Sequence, residues 1–135
     1  MAAPQRQAAL DVSYPAQASQ VPAIRRAVAD IARNCGARES KLSQIRLAVS
    51  EAASNAVLHA YRDRRIGGGD VRVVVRARDD SCIDVCIRDH GVGPGPRPDS
   101  PGLGLGMRLM AHDADRFQIR AGADGGTEVV LRFEL

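Results

Sequence analysis

The chain is poor in aromatic residues, which make up 3% of the sequence, and it contains no tryptophan. A buried core must therefore be built mainly from Val, Ile, Leu and Ala, within a hydrophobic fraction of 44%. Proteins that bind single-stranded nucleic acid stack the bases on aromatic side chains. The scarcity of aromatic residues argues against such a stacking platform.

Cysteines are also few, and long apolar runs are missing. Three cysteines, Cys35, Cys82 and Cys86, do not make a disulfide framework, and no Cys-x-x-Cys or paired histidine spacing indicates zinc. Reduced thiols in a cytoplasmic protein are the simplest interpretation. No apolar run approaches the roughly 20 residues of a membrane-spanning helix, and the first residues lack a signal-peptide pattern. We expect a cytoplasmic protein without a membrane partner.

Length and charge indicate one ordinary globular domain. The 135 residues carry 19 basic and 16 acidic side chains, a net charge of +3. The densest basic cluster, residues 62–65, suits a solvated helix end, so direct nucleic-acid binding is not expected. We expect residues 1–9 to form a flexible tail and residues 10–135 to form the single domain.

Apolar periodicity predicts an alternation of strands and helices. Ser19 is a candidate N-cap for the first helix, which Gly36 ends, and Ser40 opens a second helix reaching about Tyr61. Strands are expected at residues 10–14, 71–77, 82–88, 117–120 and 128–133, a third helix at 105–114, and a Pro- and Gly-rich loop at 91–101. This order predicts an α+β fold, a two-layer sandwich of mostly antiparallel sheet with helices on one face.

Glu51 and Asn55 lie four residues apart in the second predicted helix, so their side chains project from one face. A carboxylate in that position can accept a proton as a general base. An amide oxygen one turn away can ligate Mg²⁺, which prefers oxygen donors. The pair alone is more typical of a polar helix surface that binds nothing.

Asp89 ends the predicted strand 82–88 and is followed by Gly91 and Gly93. A carboxylate there can accept a hydrogen bond from an exocyclic amine, which distinguishes adenine from guanine, while the glycines let the backbone approach a flat ring. A simple Asp-x-Gly turn is the alternative interpretation.

Gly102, Gly104 and Gly106 precede the third predicted helix. Backbone N–H groups at a helix N-terminus bind phosphate oxygens well, although a glycine-rich loop is otherwise only a connection. The sequence lacks Gly-x-x-x-x-Gly-Lys-Ser/Thr, which excludes a P-loop, and Met107 stands where a Rossmann fingerprint needs Gly or Ala.

Taken together, these motifs resemble those of the GHKL (Bergerat-fold) ATPases over nearly the whole chain. Glu51–Asn55 resembles the N-box, Asp89–Gly93 and Gly102–Gly106 the two glycine boxes, and Gly125-Gly126-Thr127 the last box. The resemblance implies that Glu51 is the catalytic base and Asn55 the Mg²⁺ ligand, and that ATP is bound. It assigns the nucleotide site to Asn55, Asp89, Gly91, Gly93, Gly102, Leu103, Gly104, Leu105, Gly106 and Thr127.

Within that superfamily the chain is most similar to the bacterial anti-sigma factor serine kinases of the RsbW and SpoIIAB type. The run from Glu51 through His59 to Tyr61 matches that branch, and only eight residues separate Gly93 from Gly102. The resemblance implies transcription regulation through a sigma factor, phosphorylation of an anti-anti-sigma protein of the STAS fold, and a homodimer. Pro94 and three further prolines depart from the pattern and stiffen this loop.

Two other functions are compatible with the same motifs. One is an ATP-binding, partner-binding regulatory module without kinase activity. The other is a detached ATPase domain of a sensor histidine kinase that works on a separate histidine-containing partner.

Overall fold

The structure is a computed structural model that describes residues 8–60, 69–78, 81–90, 112–122 and 125–135. Five strands and two α-helices occur in these ranges. They are β1 (Leu10–Pro15), α1 (Val21–Asn34), α2 (Glu39–Asn55), β2 (Asp70–Arg78), β3 (Cys82–Arg88), β4 (Arg116–Ala121) and β5 (Thr127–Glu134). A 3₁₀ turn, Ala18–Gln20, precedes α1, and a π-helical turn, Ala56–Ala60, follows α2.

The strands form one antiparallel sheet in the order β1-β2-β3-β5-β4. Alternation of apolar and polar residues assigns each strand two faces. In β2, Val71, Val73 and Val75 are fully buried, while Arg72 and Arg76 lie on the opposite face. One face of the sheet is therefore packed, and no described helix or strand covers the other, as antiparallel sheets allow.

The packed face is covered by α1 and α2, which confirms the predicted α+β two-layer fold. Among the described residues, the buried core is aliphatic apart from Phe133, as the scarcity of aromatic residues predicts. Its largest fully buried side chains come from both helices and from β2, β3 and β5: Ile24, Val28, Leu42, Ile45, Val49, Val71, Val73, Ile83, Ile87, Leu131 and Phe133.

The first helix ends as predicted but begins one residue later than expected. Gly36 has a φ of +97°, and the N–H groups of Gly36 and Ala37 donate to the carbonyls of Arg33 and Ala32. This is the glycine-terminated Schellman arrangement. The predicted N-cap Ser19 is wrong: it lies in the 3₁₀ turn, and Gln20 occupies the N-cap position without a side-chain hydrogen bond.

A contact at the first turn of α2 shows where this helix starts on the sheet. Lys41 Nζ lies 3.1 Å from Asp115 Oδ2, and the same oxygen accepts the backbone N–H of Glu134 at 2.7 Å. Glu134 ends β5 and pairs with Cys82, the first residue of β3. The N-terminus of α2 therefore lies at the end of the sheet where β3 starts, and the helix runs in the same direction as β3.

No helix in the described ranges is both long enough and apolar enough to cross a membrane.

Candidate functional site

Glu51 and Asn55 occupy the last two turns of α2. Both side chains are half-buried, while their neighbours Ala52 and Ala53 are fully buried against the sheet. With the described residues, neither Glu51 nor Asn55 forms a side-chain hydrogen bond or an ion pair. The carboxylate and the amide are therefore not engaged by this part of the chain, and both remain available to a bound molecule.

The α-helix ends at Asn55, where the sequence predicts that it continues to about Tyr61. A π-helical turn, Ala56–Ala60, follows at once, and Tyr61 lies outside the described residues. Single π turns inside helices are frequent at functional sites. The wider turn changes the α-helical spacing beyond Asn55, and Leu58 in it is 59% exposed.

Asp89 is held at the end of β3 by the first residue of β5. The backbone N–H of Asp89 donates to the carbonyl of Thr127 at 3.0 Å, and the backbone N–H of Thr127 donates to Asp89 Oδ1 at 3.3 Å. The carboxylate is only 4% exposed. Thr127 and Asp89, which the sequence places in different motifs, are thus direct neighbours, and this arrangement is called here the Asp89–Thr127 pair.

The glycines before Thr127 make this close approach possible. A Cβ atom at Gly126 would lie 1.8 Å from the carbonyl oxygen of Asp89, far inside any real contact, and Gly125 has a φ of +95°. Because both positions exclude ordinary side chains, the Gly125-Gly126 turn fixes how β5 meets the end of β3. The sequence motifs do not single out Gly126 as a site residue, although the double glycine before a strand is a visible signal for it.

The two groups of predicted residues lie at the same end of the sheet. The first turn of α2 lies beside the start of β3 and the end of β5, and 17 helical residues extend about 25 Å. Buried residues from Leu42 to Ala53 keep the helix on the sheet over this length. The C-terminal end of α2, with Glu51 and Asn55, therefore lies where β3 ends and β5 begins, beside the Asp89–Thr127 pair.

A charged cluster lies behind this pair on the open face of the sheet. Arg88 and Arg120 each donate to the Glu128 carboxylate at 3.2 Å, and Cys86 Sγ donates to it at 2.9 Å. Burial alone would raise the pKa of Glu128, but the hydrogen bonds from Cys86, Arg120 and Arg88 lower it. Burial first, and then the Glu128 carboxylate, raise the pKa of Cys86 to about 12. This thiol stays protonated at neutral pH and does not act as a nucleophile.

The remaining predicted site residues lie outside the described ranges. They are Gly91, Gly93, Gly102, Leu103, Gly104, Leu105 and Gly106. Of the third predicted helix, 105–114, the described part contains only His112 and Asp113 in helical conformation. The phosphate-binding part of the predicted site therefore stays a prediction.

Within the described residues, no group of three or more His, Cys, Asp or Glu side chains could hold a metal ion. Mg²⁺ in nucleotide sites commonly uses one or two protein ligands together with phosphates and water. The half-buried side-chain amide of Asn55 could serve as such a single protein ligand.

Comparison with known proteins places this geometry in a family. Residues 14–133 match the family model described as "Histidine kinase-like ATPase domain". The match includes both Glu51–Asn55 and the Asp89–Thr127 pair.

Individual relatives carry names of two kinds. The chain is 31% identical to the serine-protein kinase RsbW of Bacillus licheniformis over 135 residues, covering 90% of this chain and 82% of that protein. It is 27% identical to an anti-sigma F factor of Priestia megaterium over 106 residues, covering 70% and 71% of the two chains. A Mycobacterium tuberculosis structure containing RsbU and RsbW domains shares the fold, with a TM-score of 0.70 and 22% identity. The alignment covers 92% of this chain and 31% of that longer one.

Proposed function

The chain belongs to the family of histidine kinase-like ATPase domains, and we propose that it binds ATP with Mg²⁺ and transfers a phosphoryl group to a serine or threonine of a protein partner. The observation that carries this proposal is the placement of two independent groups at one end of the sheet. These are Glu51 with Asn55 on α2, and the Asp89–Thr127 pair between β3 and β5.

Asp89 is proposed to read the adenine base. A buried carboxylate is stable only when donors satisfy it, and one donor, the Thr127 N–H, already reaches Oδ1. A carboxylate has about four lone-pair sites, so it can accept an exocyclic amine as well. The oxo group of guanine would instead face a negative charge. The site should therefore prefer ATP over GTP.

Glu51 is proposed to be the general base. Its carboxylate lies one helical turn before Asn55 and can accept the proton of the attacking hydroxyl. Asn55 would hold Mg²⁺ through its amide oxygen. The ion supplies positive charge that stabilises the transferring phosphoryl group. Gly91, Gly93, Gly102, Leu103, Gly104, Leu105 and Gly106 are proposed to shape the phosphate and base sites around these residues.

The names of the relatives support the choice of partner. Proteins named anti-sigma F factor and serine-protein kinase are similar to this chain over most of its length. We therefore propose a sigma factor as the bound partner and an anti-anti-sigma protein of the STAS fold as the phosphorylated one. A homodimer working in the cytoplasm completes the proposal.

Calorimetric titration with ATP and with GTP, each with and without Mg²⁺, tests the nucleotide site. Magnesium-dependent binding selective for ATP is the expected result. The second step mixes the protein with radiolabelled ATP and a STAS-fold protein encoded next to it in the genome. Acid-stable phosphoserine or phosphothreonine supports the kinase. ATP binding without phosphate transfer favours the non-catalytic regulatory module, and acid-labile phosphohistidine on a separate partner favours the detached sensor-kinase domain.

Replacement of Glu51 separates binding from catalysis. Glu51→Gln keeps the size of the side chain but removes the base. We expect ATP affinity to be retained and phosphoryl transfer to fall by about a hundredfold or more. Glu39→Gln, an exposed substitution in the first turn of the same helix, is the matched control and should leave the rate unchanged. Full transfer activity in Glu51→Gln would remove Glu51 from the mechanism.

A further inference from the structure

The face of the sheet opposite the helices is arranged as three rows that cross the strands. The register of β2, β3, β5 and β4 puts one row of charged residues on each side of a middle row. The first arginine row consists of Arg72, Arg88, Glu128 and Arg120. The middle row consists of Val74, Cys86, Val130 and Gln118 and is uncharged over these four strands. Asp11 of β1 stands next to Val74 and accepts from Arg72 at 2.7 and 2.8 Å. The second arginine row consists of Arg76, Asp84, Arg132 and Arg116.

The charges of this face do not balance. With Arg78 at the end of β2, the face has seven arginines and no lysine. Its five carboxylates are Asp11, Asp70, Asp84, Glu128 and Glu134. Among the described residues, this face therefore carries an excess of two positive charges.

The carboxylates in the arginine rows are shared, which leaves guanidinium donors unused. Asp84 accepts from Arg132 at 2.6 Å and from Arg78 at 3.1 Å, and Glu128 binds both Arg88 and Arg120. Each guanidinium has five N–H donors, and these contacts use only one or two of them. Arg78 and Arg120 are more than half exposed. Arg116 is exposed and forms no ion pair with any described residue.

We propose that this face binds an acidic amphipathic helix of a partner protein. The arginine rows are four residues apart along the strands, or about 13 Å, which matches the 10–12 Å diameter of a helix. The apolar stripe of such a helix would lie on Val74, Cys86 and Val130. Carboxylates flanking that stripe would meet the unused arginine donors on both sides. A groove of about 570 Å³ at the β5–β4 side, lined in part by Arg116, Val130 and Arg132, makes the surface concave there.

Two other occupants fit this face less well. A second copy of the chain would bring the same positive excess against itself, so like charges would oppose face-to-face packing. Nucleic acid would place a continuous line of phosphates over Asp84 and Glu128. The three rows also contain no aromatic side chain on which bases could stack, and Phe117, which lines the groove, is partly buried against the core.

A designed peptide tests the proposal without knowledge of the natural partner. The probe is a capped peptide of about 18 residues, or five turns, with leucines in one stripe and glutamates on both flanks. Its binding is measured by fluorescence anisotropy without nucleotide, so the result does not depend on the proposed kinase function. A scrambled peptide of the same composition and a short DNA duplex are the competing probes.

Paired variants localise the binding. Arg116→Gln with Arg120→Gln removes one charge from each arginine row, and Arg26→Gln with Arg38→Gln removes two exposed charges from the helical layer. Circular dichroism confirms that both double variants fold. We expect the amphipathic peptide to bind at least about tenfold more weakly to the sheet variant and equally well to the helix variant.

Each remaining outcome overturns the proposal. Equal binding of the scrambled peptide would show general charge attraction without a helix site. Equal loss in the two double variants would move the site off this face. Tighter binding of the DNA duplex, lost in the sheet variant, would make the face a nucleic-acid surface. Failure of the peptide to bind would remove the docking site.

Discussion

At position 126 any side chain would collide with the main chain of the neighbouring strand. A Cβ there would lie 1.8 Å from the Asp89 carbonyl oxygen, 2.7 Å from its carbonyl carbon and 2.9 Å from the Cα of His90. All three are backbone atoms, which cannot rotate away as a flexible side chain can. The position of Asp89, and with it the proposed adenine reader, therefore depends on the absence of a side chain at residue 126.

Gly126→Ala should damage stability and nucleotide binding together. The backbone of β5 must move away from β3, which we expect to cost about 1–3 kcal/mol of unfolding free energy and to weaken ATP binding. Gly36→Ala is the control, because Gly36 has a left-handed φ but open space around its missing Cβ. It should lose stability while keeping ATP affinity. Urea unfolding and calorimetry measure both effects, and normal ATP affinity in Gly126→Ala would contradict this account.

The thiol of Cys86 should be nearly inert in the folded protein. With its pKa raised to about 12 by burial and by Glu128, only about one molecule in ten thousand carries a thiolate at pH 8. Alkylation of Cys86 by iodoacetamide at pH 8 can be followed for each cysteine by mass spectrometry. Because of the raised pKa, we expect it to be at least about a hundredfold slower in the native than in the denatured protein. Glu128→Gln should partly restore the rate. Similar native and denatured rates would show that the thiol is not held this way.

At the scale of single elements, the helix termini show what local sequence signals leave undecided. The glycine signal at Gly36 correctly ends α1, because a left-handed residue is needed there. The polar N-cap signal at Ser19 does not start α1, since residues 18–20 form a 3₁₀ turn instead. The π-helical turn after Asn55 has no sequence signal either, because residues 56–60 contain no proline or glycine.

Asp115 should help to anchor the first turn of α2 at the end of β5. Its Oδ2 binds both Lys41 Nζ and the N–H of Glu134. Asp115→Ala removes both contacts, and we expect a loss of about 1–2 kcal/mol in unfolding free energy. Asp115→Asn retains an acceptor for the N–H group and loses only a partly exposed ion pair, so its cost should stay below about 1 kcal/mol. Urea denaturation compares the two. Equal costs would assign the effect to charge alone.

For the whole molecule, the order of elements and the two faces of the sheet could be predicted from sequence. Alternation in β2 and β3 separates buried valines and isoleucines from arginines without any knowledge of neighbours. The placement of β5 between β3 and β4 could not be read in this way, because register depends on contacts distant in sequence. That placement is what brings Thr127 to Asp89. The sequence motifs named both residues, but only the fold makes them neighbours.

Nucleotide binding at that junction should stabilise the entire fold. A ligand that binds only the folded state at a hundred times its Kd adds about 2.7 kcal/mol of unfolding free energy. For a domain of this size we expect that to raise Tm by about 8–15 °C. ATP with Mg²⁺ should produce this shift and GTP should not, because guanine has an oxo group at C6, where adenine has the amine that is proposed to donate to the buried Asp89 carboxylate. Asp89→Asn should abolish the ATP shift, because the amide is uncharged and can turn an N–H donor toward the base. The control Asp30→Asn, on the exposed side of α1, should retain the shift. Thermal denaturation with each nucleotide measures these Tm shifts. An equal shift with GTP, or an undiminished ATP shift in Asp89→Asn, would mean that Asp89 does not read the base.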